Sequence, residues 1–201
     1  LRAIYRGLWD TAAKQPTGNG TAVFEHASST EQGLYQLYEG CFEYGQFHGQ
    51  GRLVFTNDDM YEGVFVSGKR HGKGHYEWAD GRHYTGDFCE NDRHGSGTAS
   101  YPDGSFYEGD FDHGKRSGKG RFLFGTGGSM YEGDWKDGTY HGQGSMVHSD
   151  GTIYEGEFVN GLSHGHGVET AASGETLYEG EFIEGLHAEE YHTKQRQKEE
   201  E

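Results

Sequence analysis

The sequence predicts an all-β repeat protein: an elongated, twisted, single-layer antiparallel meander of stacked β-hairpins, ending in a short C-terminal tail or helix. Three observations predict it. The first is a period of 23 or 24 residues, in which tyrosines recur at Tyr38, Tyr61, Tyr84, Tyr107, Tyr131, Tyr154 and Tyr178. Two residues after each stands a glycine (Gly40, Gly63, Gly86, Gly109, Gly133, Gly156, Gly180), and two further on a large aromatic (Phe42, Phe65, Phe88, Phe111, Trp135, Phe158, Phe182). A fixed period in this range marks stacked supersecondary units. The second is composition. Glycine makes up 36 of 201 residues and apolar residues only 31%, so a thick core cannot form, yet 14 Tyr, 12 Phe and 3 Trp are too many for disorder. The third is punctuation, because every connection is short and rich in turn residues.

In chain order, the first unit is degenerate. Tyr5, Gly7 and Trp9 match the start of the later units and Gly18-Asn19-Gly20 their G-x-G, with a longer loop around Lys14-Gln15-Pro16. Glu25 to Leu37 reads as a polar surface insertion, since loops accept length cheaply. This sets the expected organisation: a degenerate first unit over 1–37, a regular array over 38–187 and a charged tail over 188–201. In each regular unit the first strand alternates aromatic with acidic residues, as in Tyr131-Glu132-Gly133-Asp134-Trp135, which gives one aromatic and one acidic face. The second strand is typified by Gly118 to Phe124, with Gly118, Gly120, Phe122 and Phe124 expected on one face. Within units, Gly45, Gly68, Gly114, Gly138, Gly161 and Gly185, with Asn91 as the exception, mark a position that needs a left-handed backbone. Between units, Asp80-Gly81, Asp103-Gly104 and Asp150-Gly151 are hairpin signals, and Gly127-Gly128 and Ser173-Gly174 absorb the extra residue of the 24-residue units. Consecutive strands are therefore antiparallel neighbours, and sixteen at ~4.8 Å each predict a rod of ~75 Å. Glycines on the aromatic face leave hollows for Tyr and Phe rings, so the sheet builds a thin core from its own side chains. The last unit loses its later glycines to Glu189 and Tyr191. The tail from Ala188 reads as a short helix whose acidic end, Glu199 to Glu201, opposes the helix dipole and dissolves it early.

The net charge of −16 disfavours nucleic acid and anionic lipid in general. Two cysteines two repeats apart, Cys41 and Cys89, form no disulfide framework and suit a reducing, cytoplasmic compartment. No apolar run is long enough for a transmembrane segment. No signal peptide is read, and a chain that begins at Leu1 is expected to be a fragment.

The pattern Y-E-G-x-F/W-x-x-G-x-x-H-G-x-G resembles the MORN repeat (membrane occupation and recognition nexus), strongly from 38 to about 188 and weakly from 5 to 37. The resemblance implies a twisted single-layer sheet. It also implies a scaffold associated with the cytoskeleton or a membrane–cytoskeleton interface, with self-association in some members and phosphoinositide binding in others.

Three functions are expected, none catalytic in this chain. The first is a scaffold that holds a peptide or helix of a protein partner in an aromatic–glycine groove of Tyr61, Phe65, Tyr76, Trp78, Tyr84, Phe88, Tyr101, Tyr107, Phe111, Phe122, Phe124, Tyr131 and Trp135. The second is a phosphoinositide-binding module acting through a basic loop edge, Lys69, Arg70, Arg93, Lys115 and Arg116. The third is a regulatory repeat domain of a larger enzyme. A homodimer is expected through the unfinished C-terminal hairpin, with Leu177, Tyr178, Phe182, Ile183, Leu186 and Tyr191 at the contact; the alternative is that residues 188–198 fold back as a helix and cap this edge within one chain. The histidine column His48, His71, His94, His141 and His164 cannot share metal ions, since members two strands apart stand ~10 Å from one another. It is expected to bond or pack. No cofactor is expected beyond zinc at the C-terminal end, on His187 and His192 beside Glu189 and Glu190. The acidic column of Glu62, Glu108, Glu132, Glu155 and Glu179, with Asp110 and Asp134, lies on an open face where no pocket shifts a pKa, and reads as solvated surface.

Overall fold

The computed structural model describes residues 2–25 and 35–199. Most of the insertion expected over 25–37, and the final Glu200 and Glu201, lie outside the described residues. The chain divides into two compact units, Leu1–Pro102 and Asp103–Glu201. The first holds β1 (Arg2–Asp10), β2 (Gln15–Glu25), β3 (Tyr35–Glu43), β4 (Gln46–Phe55), β5 (Met60–Val66), β6 (Lys69–Glu77), β7 (His83–Cys89) and β8 (Asp92–Ser100). The second holds β9 (Phe106–Asp112), β10 (Lys115–Leu123), β11 (Met130–Lys136), β12 (Thr139–Val147), β13 (Ile153–Val159), β14 (Leu162–Thr170), β15 (Thr176–Ile183), the two-residue β16 (Leu186–His187) and the helix α1 (Ala188–Glu199). Within each unit every strand pairs antiparallel with the next, so both are open meanders, as the repeat predicts. The degenerate first unit still forms a full hairpin, with Gly7 opposite Gly20.

Turn chemistry explains the tight spacing. The glycine of each within-unit turn has positive φ, 80° at Gly68 and 89° at Gly138, and Asn91 takes its place at 82°. The residue before it is left-handed as well: Ser67 at 49°, Glu90 at 53°, Asp137 at 51°. Two successive positive-φ residues make the type I′ turn, whose twist matches that of the flanking strands. The loop is thus only two residues long, and the residue after the glycine already belongs to a strand. A second positive-φ series, Gly49, Gly72, Gly95, Gly118, Gly142 and Gly165 near 57°, sits at β-bulges that shift the pairing register. The bulge turns Gly118 away from Gly120: a Cβ there would meet the Asp110 carboxylate on the acidic face. The four residues expected on one face are therefore divided.

Glycines pair across strands, Gly63 with Gly74 and Gly133 with Gly144, and a tyrosine ring lies over each pair. A Cβ on Gly133 would stand 2.5 Å from the Tyr131 hydroxyl and 2.5 Å from Gly144 Cα, so only hydrogen fits. The phenol donates three residues along its own strand, to the carbonyl of Asp134 at 2.7 Å, of Val64 at 2.9 Å in the Tyr61 repeat and of Cys41 at 2.8 Å in the Tyr38 repeat. Each ring meets the aromatic of its own strand and that of the next repeat edge-on: Tyr38 with Phe42 and Phe65, Tyr131 with Trp135 and Phe158. Such pairs add about 0.5–1.5 kcal/mol beyond area burial. The thin core predicted from glycine and aromatic content is this herringbone.

The tail is helical from Ala188 through Glu199, and Arg196 and Lys198 in its last turn complement the dipole.

Candidate functional site

Opposite each strand aromatic, across the two-residue turn, stands one residue: Phe47, Arg70, Arg93, Arg116, Tyr140, Ser163 and His187. These side chains are lids. Phe47 stacks on Tyr38 at 3.8 Å, Tyr140 on Tyr131 at 4.0 Å and His187 on Tyr178 at 3.9 Å. Where the lid is arginine, the guanidinium lies over the rings: Arg70 over Tyr61 and Tyr76, Arg93 over Tyr84 and Trp78, Arg116 over Tyr107, Phe122 and Trp135. The carbonyl behind a lid accepts the N–H of the next turn glycine, as from Gly68 to Phe47 and from Gly138 to Arg116, both at 2.9 Å. Lids are therefore fixed by backbone as well as by ring contact. Ser163 alone offers neither ring nor guanidinium, and Tyr154 beneath it is 4% exposed where Tyr38, Tyr61, Tyr84, Tyr107 and Tyr131 are at 0%. Burial raises the phenols of Tyr38, Tyr84 and Tyr131, and those of Tyr61 and Tyr154 to about 12.

This placement corrects the expected aromatic groove. Tyr61, Phe65, Tyr84, Phe88, Tyr107, Phe111, Tyr131 and Trp135 are core, at 0–4% exposure, and have no surface to offer a partner. Tyr76 is buried too, donating to the Asp59 carboxylate at 2.7 Å. Trp78, Tyr101, Phe122 and Phe124 are half-buried and keep some surface. The basic loop edge is corrected as well, because the short turn carries Arg70, Arg93 and Arg116 into strands and onto the aromatic face. Lys69 pairs with Glu90 and Lys115 with Asp137.

At the C-terminal end, His187 faces Glu169 at 2.9 Å while it covers Tyr178, and His192 is exposed on α1. Among the described residues these two are not gathered with a third metal ligand. Of the expected dimer contact, Leu177 is 56% exposed, Tyr178, Ile183, Leu186 and Tyr191 are half-buried, and Phe182 is buried against Tyr154. β16 covers β15 only at Phe182 and Ile183.

Two concavities among the described residues bear on function. In the second unit the acidic face forms a broad groove floored by the bare backbone of Gly109, Gly120, Gly133, Gly144, Gly156 and Gly167. Its walls carry Glu108, Glu132 and Glu155 beside Lys119, Arg121 and His166. A hydrogen bond from Lys119 holds the Asp134 carboxyl below its usual range. Asp87 in the first unit is lowered likewise, by Lys73 and Ser96 against the opposing effect of burial. These pairs are largely solvated.

The other concavity was not read from the sequence. On the aromatic face of the first hairpins, a cleft of about 370 Å³ is lined by Tyr5, Pro16, Ala22, Phe24, Tyr35, Phe42 and Phe47, with Ala3, Gln46 and Ser67 at its edge. Here Pro16 pairs with Trp9 where other hairpins carry a lid, and Trp9 remains 50% exposed. The signal was present in the aromatics that the degenerate unit keeps, Tyr5 and Trp9, but the repeat pattern is weakest there.

The family model described as MORN repeat matches residues 38–60, 61–81, 84–106, 107–129, 131–153 and 154–176. No curated protein sequence matches the chain. Similar solved structures include the SAS-4 (dCPAP) TCP domain of Drosophila melanogaster in complex with a proline-rich motif of Ana2 (dSTIL), at 14% identity and TM-score 0.48, covering 89% of this chain and 90% of that one. The wild-type TCP10 domain of Danio rerio CPAP is similar at 11% identity and TM-score 0.29, and a point mutant of it at 12% and 0.29, each covering 86% of this chain and 92% of that one. Likenesses this loose carry no argument about what the chain binds.

Proposed function

The chain belongs to the MORN-repeat family, and from that premise we propose a non-catalytic scaffold that holds a protein partner, with an apolar anchor of the partner's peptide or helix seated in the cleft of the first hairpins. The observation that carries this reading is the difference in the aromatic face. In the regular repeats except that of Tyr154 and Ser163 the rings are closed under lids, whereas Tyr5, Phe24, Tyr35 and Phe47 line an open cleft beside the buried Phe42. A rigid aromatic pocket that takes one or two side chains is the form of an interface hot spot. A cytoskeletal or membrane–cytoskeletal setting agrees with the family. A phosphoinositide would first have to displace Glu90 from Lys69 and Asp137 from Lys115.

The test is selection of peptides from a random library on the intact chain and on Gln46→Trp. Gln46 is exposed at the cleft edge, so the added ring fills the cleft without emptying the core. Wild-type protein should enrich peptides with aromatic or aliphatic anchors, and the variant, melting normally, should not. Equal enrichment by both would remove the cleft from consideration.

Self-association through the C-terminal end is a second reading, favoured by one observation. Among the described residues β15 has a strand partner on its outer side only at Phe182 and Ile183, with α1 against it as well, and Leu177 on β15 is exposed. Leu177→Lys should convert a dimer to a monomer in light scattering. A wild-type monomer at high concentration would refute the contact.

A further inference from the structure

The geometry points to a site for a divalent transition metal ion, of the zinc class, on the polar face of the β6–β7 hairpin, held by His75, Glu77 and His83. One ligand atom from each of the three lies within 4.8 Å of the other two, and all three residues are half-buried. His75 and Glu77 stand two apart on β6 and so share a face, and His83 is the register partner of Glu77 across the hairpin. The two imidazoles lie nearly parallel, 22° apart and stacked with centroids at 5.8 Å, so both rings stand together on this face. A tetrahedral zinc ion with bonds of about 2.0–2.1 Å needs ligand atoms about 3.3 Å apart, a closure of about 1.5 Å that rotation about side-chain bonds supplies.

Two further observations separate this cluster from a chance grouping. His75 Nδ1 stands 2.8 Å from the Thr85 hydroxyl, so a proton held on Nδ1 for that bond leaves Nε2 with its lone pair free. Outer hydrogen bonds of this kind orient metal-binding histidines. The second is the contrast with other hairpins. Where this one carries Glu77 and His83, the β10–β11 hairpin carries Leu123 and Met130, and the β12–β13 hairpin Val147 and Ile153. An apolar pair is thus replaced by two metal donors in this hairpin, with His75 beside them. Glu62, the register partner of His75 on β5, brings a further carboxylate alongside and suits the fourth position. The His75 position lies off the histidine ladder, which explains how these ligands converge where ladder members cannot.

The intact, metal-free chain is titrated with zinc by calorimetry and with cobalt(II) by visible absorption, alongside His75→Gln with His83→Gln as a double variant and His187→Gln with His192→Gln as another. The expected result is one equivalent of zinc, cobalt bands of tetrahedral intensity, and at least 100-fold weaker binding in the first double variant with unchanged metal-free melting. The second double variant should bind as wild type. Binding should weaken as the pH falls, because protons compete with the metal for its ligands. Absence of micromolar binding, or binding lost only in the terminal variant, would overturn the assignment.

Discussion

The aromatic face is sealed in the regular repeats and open in the first hairpins, although the same residue types build both. Around Tyr131 the seal has three parts: Trp135 from its own strand, Phe158 from the next repeat and Tyr140 above. Around Tyr5 only two are present, Trp9 and Phe42, and the lid position holds Pro16. Trp9 is 50% exposed and Trp135 4%. Burial of a ring is therefore set by its neighbours in the stack and by the lid above it. Aromatic residues in the closed region hold the fold. Those in the open one are left to bind.

The largest effect that bears on this difference is expected at the glycine pairs. Gly133→Val sets methyl groups into the Tyr131 ring and the backbone of Gly144, which cannot both yield. The second unit should lose its cooperative melting transition altogether, followed by circular dichroism. A variant that melts like wild type would mean the ring does not lie on the pair.

Next in size is Trp135→Ala. It empties a site packed against Tyr107, Tyr131, Tyr140 and Phe122 and removes the indole hydrogen bond to the Gly120 carbonyl at 3.0 Å. The cost should be about 3–5 kcal/mol by denaturant titration. A loss under about 1 kcal/mol would show that the herringbone is loosely packed.

The lids come third. Arg116→Ala removes a guanidinium 4.5 Å from the Trp135 ring centroid and should cost about 1–2 kcal/mol. The reverse change, Ser163→Tyr, gives Tyr154 the ring it lacks and should raise stability by about 0.5–1 kcal/mol. If Arg116→Ala is neutral and Ser163→Tyr destabilises, the column is not a lid.

The strands, their antiparallel order and the turn glycines were legible because each depends on residue type at a fixed spacing. Gly68 and Asn91 share a positive φ, and the chemistry that permits it is visible in the letters. The lid column was not legible, because Phe47, Arg70, Tyr140 and His187 share a place and no residue type. Recognising it needs two facts that spacing hides: the turn is two residues long, and the bulge at Gly72 or Gly118 resets which face follows. Without them Arg70 and Arg116 read as loop cations. The three ligands of the proposed metal site were missed for a similar reason, since the histidine ladder drew attention and they stand off it.

The smallest effect is expected at Trp9, and it bears most directly on the open region. Trp9→Ala removes a ring as large as that of Trp135, from the same position in its strand. Half of that ring is already in water, its ring neighbour is Tyr5 at 6.0 Å, and solvent refills the space it leaves. The stability change should stay within about 0.5 kcal/mol, as for surface substitutions. Peptide binding should nevertheless weaken several-fold, because Trp9 flanks the ring that lines the cleft. Equal losses of stability for Trp9→Ala and Trp135→Ala would show that the first hairpin is sealed in solution as the others are. Stability and peptide binding both unchanged would move the partner away from this end of the cleft. A small change in melting with a clear loss of binding is the outcome that separates a ring kept for a partner from one used by the fold.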